Sequence, residues 1–299
     1  MKLKVKTIAI IASLAFAAAV PVVIFLARSP VLVVTDLSFI PLYGMSRIRA
    51  EAMSSSLILF RRVITVPVSD DAGDDIVQFI VSEASSRPFC VIFPLRFVQA
   101  ARIYREQNPQ IPVIILEGRY PEGRNPALYA ISRNTDDYFL YRTDIEADFH
   151  RAALAAALLD GETNSRVVVF LESHNQQQGT EVFSQTLKDI EKPLQTSYFT
   201  TFSQFSRNTE LSCVVLAGIG ADYLDRFTDV PVIFFTWIDP ALIPIDVVLV
   251  FNDSPWVQTV PAVRMAAAGI KTGQIPSKPV FLQGKNIDKE VLRNLRKIR

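Results

Sequence analysis

The sequence predicts an α/β protein of two lobes, each a parallel sheet flanked by helices, preceded by an N-terminal transmembrane or signal helix. Three observations lead there. Short β-branched and aromatic runs recur along the chain and are apolar throughout instead of alternating, as strands buried on both faces are. Segments with apolar residues at helical spacing separate them, which is the order of a parallel sheet with crossover helices. The whole alternation then starts again near residue 138.

In the first set the strands are VLVVTD (31–36), RVITVPV (62–68), PFCVIFP (88–94), PVIILEG (112–118) and ALYAIS (127–132). Helical spacing over 43–60, 70–86 and 95–108 fills the gaps between the first four. The second set opens with a helix over 142–161 that stops at Gly161. It continues with RVVVFLES (166–173), LQTSYFTT (194–201), LSCVVLAG (211–218), PVIFFTW (231–237) and DVVLVFND (246–253). Helices are expected over 179–192 and 221–229, with a shorter one over 201–209. A further helix follows Ser254 as N-cap and Pro255 at the first helical position, with Gly269 or Gly273 as its stop and Pro261 as a kink inside it. The domain expectation is 1–29 as a signal anchor or signal peptide, 31–137 as lobe 1 with the return helix 254–272, and 138–253 as lobe 2 with the C-terminal segment 278–299. In that last segment KPVFLQGKNI (278–287) reads as a strand and DKEVLRNLRKIR as an amphipathic basic helix, a solvated face.

The N-terminus has Lys2, Lys4 and Lys6 and then an uncharged run from Thr7 to Ala27. As a helix that run is roughly 31 Å long, about the hydrocarbon thickness of a bilayer. A cleaved signal is the competing reading, since Ala17 and Ala19 are small residues suited to cleavage; the apolar VVIFLA beyond them favours an uncleaved anchor. Either way, lysines ahead of the run place the N-terminus in the cytoplasm and residues 30–299 outside the inner membrane, in the periplasmic or extracytoplasmic space.

At 49% hydrophobic and 20% charged, the chain can bury a substantial core. Residues 1–28 hold four of its 31 basic residues and no acid, so the remainder has 27 basic against 30 acidic residues, which argues against nucleic acid as a partner. Cys90 and Cys213 start apolar strands far apart in sequence and read as buried thiols, with a disulfide only if those strands are neighbours. Two histidines, no GxSxG, no HExxH and no paired cysteines leave neither a serine hydrolase nor a zinc enzyme its parts. GIKTG lacks the phosphate loop's first glycine, and AGIGAD is too short for a dinucleotide fingerprint. Adjacent acids such as Asp70 and Asp71 suit a helix dipole better than acid–base chemistry. No enzyme, cofactor or metal is expected.

Two α/β lobes in sequence, with NTDDYFLYRTDIEADFHRAALAAALL before SRVVVFLESHNQQQGTEVFSQTLKDI and a closing DVVLVFNDSPWVQTVPAVRMAAAGI, resemble the type I periplasmic-binding-protein fold over about residues 31–285. Sugar-binding proteins, nucleoside-binding lipoproteins of the basic-membrane-protein family and the ligand domains of LacI-like repressors share that fold. No cysteine follows the apolar run, so the likeness to the lipoproteins does not extend to a lipid-modified residue. The resemblance implies a small-molecule ligand held between the lobes, where strand carboxyl ends face each other.

Residues just after strands are therefore the binding candidates: Asp36, Phe39, Arg119, Asn175, Asp222, Trp237 and Asp253. Phe39 and Trp237 offer rings to stack on a sugar or base; the others offer polar contacts. Trp237 has the stronger claim as a plug of its lobe's core, and Asp253 an equal claim as a cap of the following helix. The expected function is a membrane-tethered solute-binding protein that closes on a small polar ligand and delivers it to an ABC-type membrane permease. The alternative keeps the fold as an extracytoplasmic sensor or an accessory or scaffold subunit of a membrane complex.

Overall fold

The computed structural model describes residues 19–69, 71–118, 138–160, 166–171, 176–192, 194–205, 211–217, 227, 229–236, 247–282 and 287–298, of which residues 176 and 177 are described by backbone alone. Among these, β1 (Val31–Asp36), β2 (Val63–Val68), β3 (Cys90–Pro94), β4 (Val113–Glu117), β5 (Phe139–Thr143) and β11 (Thr272–Ile275) form one sheet in the order β11-β5-β4-β3-β1-β2. All of its pairings are parallel. The second sheet runs β12-β10-β9-β8-β6-β7, from β6 (Arg166–Leu171), β7 (Gln195–Phe199), β8 (Leu211–Ala217), β9 (Val232–Phe235), β10 (Val247–Asn252) and β12 (Lys278–Phe281). Only β12 is antiparallel, against β10.

The continuous apolar strands are buried on both faces, as their composition requires. In β1, Leu32 and Val34 pack with Val77, Val81 and Phe93, while Val31 and Val33 pack on the other face with Tyr43, Ile48 and Trp256. Successive strand residues point to opposite faces, so one run feeds two cores. In the second lobe Val167, Val169 and Leu171 face the alanine-rich helix Ile145–Leu159, while Val168 and Phe170 face a cluster containing Phe227 and Phe234.

Most helices fall where the periodicity put them: Met45–Leu59, Asp74–Ala84, Val98–Gln107, Gln176–Asp189 and Pro255–Ala267. The helix after Ser254 runs on through Pro261 and ends before Gly269, whose φ of 76° is the left-handed conformation glycine tolerates. The short helix expected over 201–209 is a single 3-10 turn, Phe202–Gln204, with 206–210 outside the described residues. The strand expected at 127–132 and the helix at 221–229 also lie outside them, apart from Phe227 and Asp229. The C-terminal helix Lys289–Leu295 is not only a solvated face: Leu295 and Ile298 are buried in the second lobe's core.

The boundary between the lobes differs from the expected one. β5 pairs with β4 and β11 in the first sheet, so the chain crosses after Thr143 and not at 138. Gly273, read as a helix stop, instead lies in β11. The first sheet thus takes both β5 and β11 from segments that a linear reading assigned to the other lobe or to a helix, whereas β12 falls within the strand expected over 278–287. Residues 19–27 are helical, and among the described residues no helix is long and apolar enough to cross a membrane; residues 7–18, the larger part of the apolar run, lie outside them.

Cys90 and Cys213 are free and buried in different sheets, which rules out the disulfide. Burial pushes the Cys90 thiol up to about 12, and the Cys213 thiol higher still. The folded protein keeps both protons above about pH 8.5, where an unfolded chain releases them. Stability supplied by the protonated thiols is therefore complete below about pH 8.5 and declines as pH rises above it. Chemical denaturation between pH 8.5 and 10 should show unfolding free energy falling by up to about 1.4 kcal/mol per pH unit for each thiol, and Cys213→Ala should flatten the slope.

Gly179 tests the packing of the second lobe. A Cβ there would lie 2.8 Å from the buried Phe149 ring, so Gly179→Ala should cost about 1–3 kcal/mol in thermal or urea unfolding despite its higher helix propensity.

Candidate functional site

The chain passes between the lobes three times: from β5 through Asp144, from β10 through Asp253 and Ser254, and from β11 through Pro276 and Ser277. Each passage leaves the carboxyl end of a strand. The carboxyl ends of both sheets therefore face the crossings, which is where open α/β sheets offer a ligand site, and the surfaces beyond the strand tips are the candidate walls of an interlobe cleft.

Buried polar bonds hold the crossings. Asp144 caps the helix Ile145–Leu159, its Oδ1 accepting from the Ala147 amide at 2.9 Å, while its own amide donates to the Ile275 carbonyl at 2.9 Å. Fully buried Asp148 accepts from the Ser277 amide at 3.1 Å and the Ser277 hydroxyl at 2.5 Å, and it is ion-paired with Arg151. Arg151 Nη2 also donates to the Ser277 carbonyl at 2.9 Å; burial pulls this guanidinium below its ordinary value. Thr143 Oγ1 donates to Asp253 Oδ2 at 3.0 Å, which ties the first crossing to the second. The Tyr43 hydroxyl accepts from Asn252 Nδ2 at 3.2 Å and from Ser254 Oγ at 3.1 Å, and its ring lies 4.6 Å from that of Trp256. At the rim, Lys278 Nζ of β12 reaches Glu51 Oε1 of the first lobe at 2.9 Å.

The first lobe's wall combines apolar and charged groups. Asp36 ends β1 fully buried; its Oδ1 accepts from the Ser38 amide at 2.8 Å and hydroxyl at 2.7 Å, and its Oδ2 pairs with Arg96 just past β3. Arg96, 27% exposed, is the member of this pair that meets solvent. Phe39 is half-buried on the short helix Phe39–Tyr43, beside exposed Leu37 and Leu42. Two strands along, Glu117 at the tip of β4 accepts from Arg142 Nε at 2.6 Å, with Arg142 52% exposed. This lining can present guanidinium donors to a hydroxyl or carboxylate and an apolar face to a ring.

Three of the seven expected binding residues are described. Asp36 and Asp253 stand at the cleft and crossing, but their carboxylates are taken up by Arg96, Ser38 and Thr143. Asp253 does not cap the return helix, whose N-cap is Ser254. Phe39 is at the wall. Arg119, Asn175, Asp222 and Trp237 lie outside the described residues. Sequence reasoning did not single out Arg142, Thr143, Tyr43 or Ser277 as members of this region. For Arg142 the signal was available, because an arginine next to the last residue of a strand can pair with a carboxylate on the neighbouring strand. One open depression, lined by Thr180, Glu181 and Gln185, is on the helix Gln176–Asp189, away from the strand tips.

Comparison with solved structures gives this architecture its class. A transcriptional activator of the comK gene from Bacillus halodurans superposes with a TM-score of 0.58 at 13% identity, over 90% of this chain and 95% of its own. A periplasmic ribose ABC transporter protein from Conexibacter woesei does so with a TM-score of 0.53 at 13% identity, again over 90% and 95%. No family model and no curated protein matches the sequence. The chain has the type I periplasmic-binding-protein fold.

Removing one partner of the buried Asp148–Arg151–Ser277 group leaves an uncompensated charge. Asp148→Ala should lower stability by about 3–5 kcal/mol in denaturant unfolding, whereas Glu51→Ala, which breaks the exposed rim pair, should cost under about 1 kcal/mol.

Proposed function

We propose that this protein is an exported, membrane-tethered solute-binding protein. Its two lobes close on a small polar ligand such as a sugar or nucleoside and hand it to an ABC-type permease. One observation carries the reading: every crossing leaves a strand's carboxyl end, so both lobes turn their strand tips toward a shared cleft with arginine, carboxylate and aromatic groups on its first wall. Closure is a hinge motion about the three crossings, driven by contacts the ligand makes with both lobes. The N-terminal apolar run retains the protein at the inner membrane with its lobes outside. Binding, not catalysis, suits a lining of paired ions and rings.

Arg96 and Arg142 are the donors we assign to the ligand from the first wall, with Phe39 as its apolar neighbour. From the second lobe we assign to the ligand Asn175, Asp222 and Trp237, the residues that follow its strand segments in sequence.

Thermal unfolding of the protein with panels of sugars, nucleosides and amino acids tests this. A ligand at 100 times its dissociation constant should add about 2.7 kcal/mol of stability. Arg142→Gln should shrink that gain while leaving the ligand-free unfolding temperature almost unchanged, because its pair with Glu117 is exposed. If no small solute shifts unfolding, the receptor reading fails and a scaffold or accessory role takes its place.

A further inference from the structure

We infer that the base of the first lobe, where its strands begin, is a docking face for an anionic phospholipid surface. The inference rests on the anchored reading above and adds where the folded part meets the bilayer. Residues 19–27 are helical and all apolar, with Val22, Val23, Ile24 and Leu26 exposed. A helix that is apolar all round requires an apolar surrounding. Arg28 is the first charge after it, and Arg28, Ser29 and Pro30 are all that separate it from β1. Three residues reach at most about 11 Å, so the base of the lobe stays near the level at which the apolar run ends. The link is also pinned: the Arg28 amide donates to the Ile24 carbonyl at 3.2 Å, and Arg61 Nη1 donates to the Ser29 carbonyl at 3.2 Å.

The face so positioned has the composition of a membrane-contact surface. Leu57 and Ile58 end a helix at 69% and 53% exposure, and Phe60, just past them, has its ring 5.8 Å from that of Phe25 with the Arg28 guanidinium 5.1 Å over it. Around them stand Arg61, Arg62 and Arg87, and among the described residues neither these nor Arg28 belongs to an ion pair. Glu83 and Glu106 are acids on the last turns of the helices Asp74–Ala84 and Val98–Gln107, which also end at this edge. Phospholipid phosphates would neutralise the four arginines, while the apolar side chains enter the headgroup layer. A second copy of the same face would instead set four arginines against four. The cleft is at the opposite end of the strands, roughly 20 Å away for a six-residue strand, and stays open to solvent.

The buried native thiols allow a single surface cysteine to be labelled. The full chain, carrying a fluorophore on Leu57→Cys or on Lys188→Cys in the second lobe, is reconstituted into phosphatidylcholine vesicles with or without phosphatidylglycerol and with headgroup-attached quenchers. Docking predicts strong quenching at position 57 and little at 188, greater with phosphatidylglycerol. It also predicts a drop of about fivefold in the docked-to-free ratio for each of Arg62→Gln and Arg87→Gln. A chain that floats with the vesicles but is quenched equally at both positions, or is insensitive to the anionic lipid and to the arginine replacements, overturns the docking face and leaves the anchor standing. Failure to float with vesicles refutes the anchor itself and docking with it. Cross-linking between position 57 of two chains would show a copy-to-copy interface and overturn the lipid assignment.

Discussion

The molecule depends on a constraint at its waist: three chain crossings, all leaving the carboxyl ends of strands, held together by buried polar groups. Asp148, Arg151 and Ser277 form the one built on an ion pair, with the carboxylate accepting from an amide, a hydroxyl and a guanidinium. Two charges out of water carry a desolvation cost that attraction alone only partly offsets, so the additional bonds to Ser277 are what make the arrangement tolerable. Its consequence is geometric. Because the helix Ile145–Leu159 is tied to the third crossing one turn after the first crossing ends, the two passages are held together.

The cleft wall follows from that arrangement. Strands in register end level with one another, so Glu117 and Arg142 pair across β4 and β5, while Asp36 is set beside Arg96 across β1 and β3. These pairs differ in their surroundings. Buried Asp36 anchors an arginine whose outer side meets solvent, a way to hold a guanidinium in one orientation. The Glu117–Arg142 pair is largely in water, contributes little to folding and can exchange one partner for another at small cost.

The first lobe is polarised along its strands. Their carboxyl ends carry mixed charge and aromatic groups; their amino ends carry arginines and exposed aliphatic residues, and the apolar N-terminal helix joins that end through a three-residue link. A parallel sheet has this property built in, since all its strands begin on one edge and finish on the other. Two unlike surfaces can then be served by one sheet without interfering.

The sequence by itself determined the fold class. Runs such as VLVVTD and RVVVFL have apolar residues at every position, which only a strand covered on both faces can use, and helical spacing between them leaves a parallel sheet as the consistent arrangement. It also made legible which residues follow strands, and Asp36 and Phe39 stand at and just past the end of β1. What only the tertiary structure decided was which sheet each short strand joins: FLYRT and TGQI are brief and partly polar, so local periodicity does not distinguish strand from helix flank, and their pairing partners are over a hundred residues apart. The partners of Asp36 and Asp253 were hidden for the same reason. A carboxylate after a strand has one appearance in sequence whether it meets a ligand or an arginine that follows the neighbouring strand of the sheet, because hydrogen-bond partners are chosen by proximity in space, which chain order does not encode.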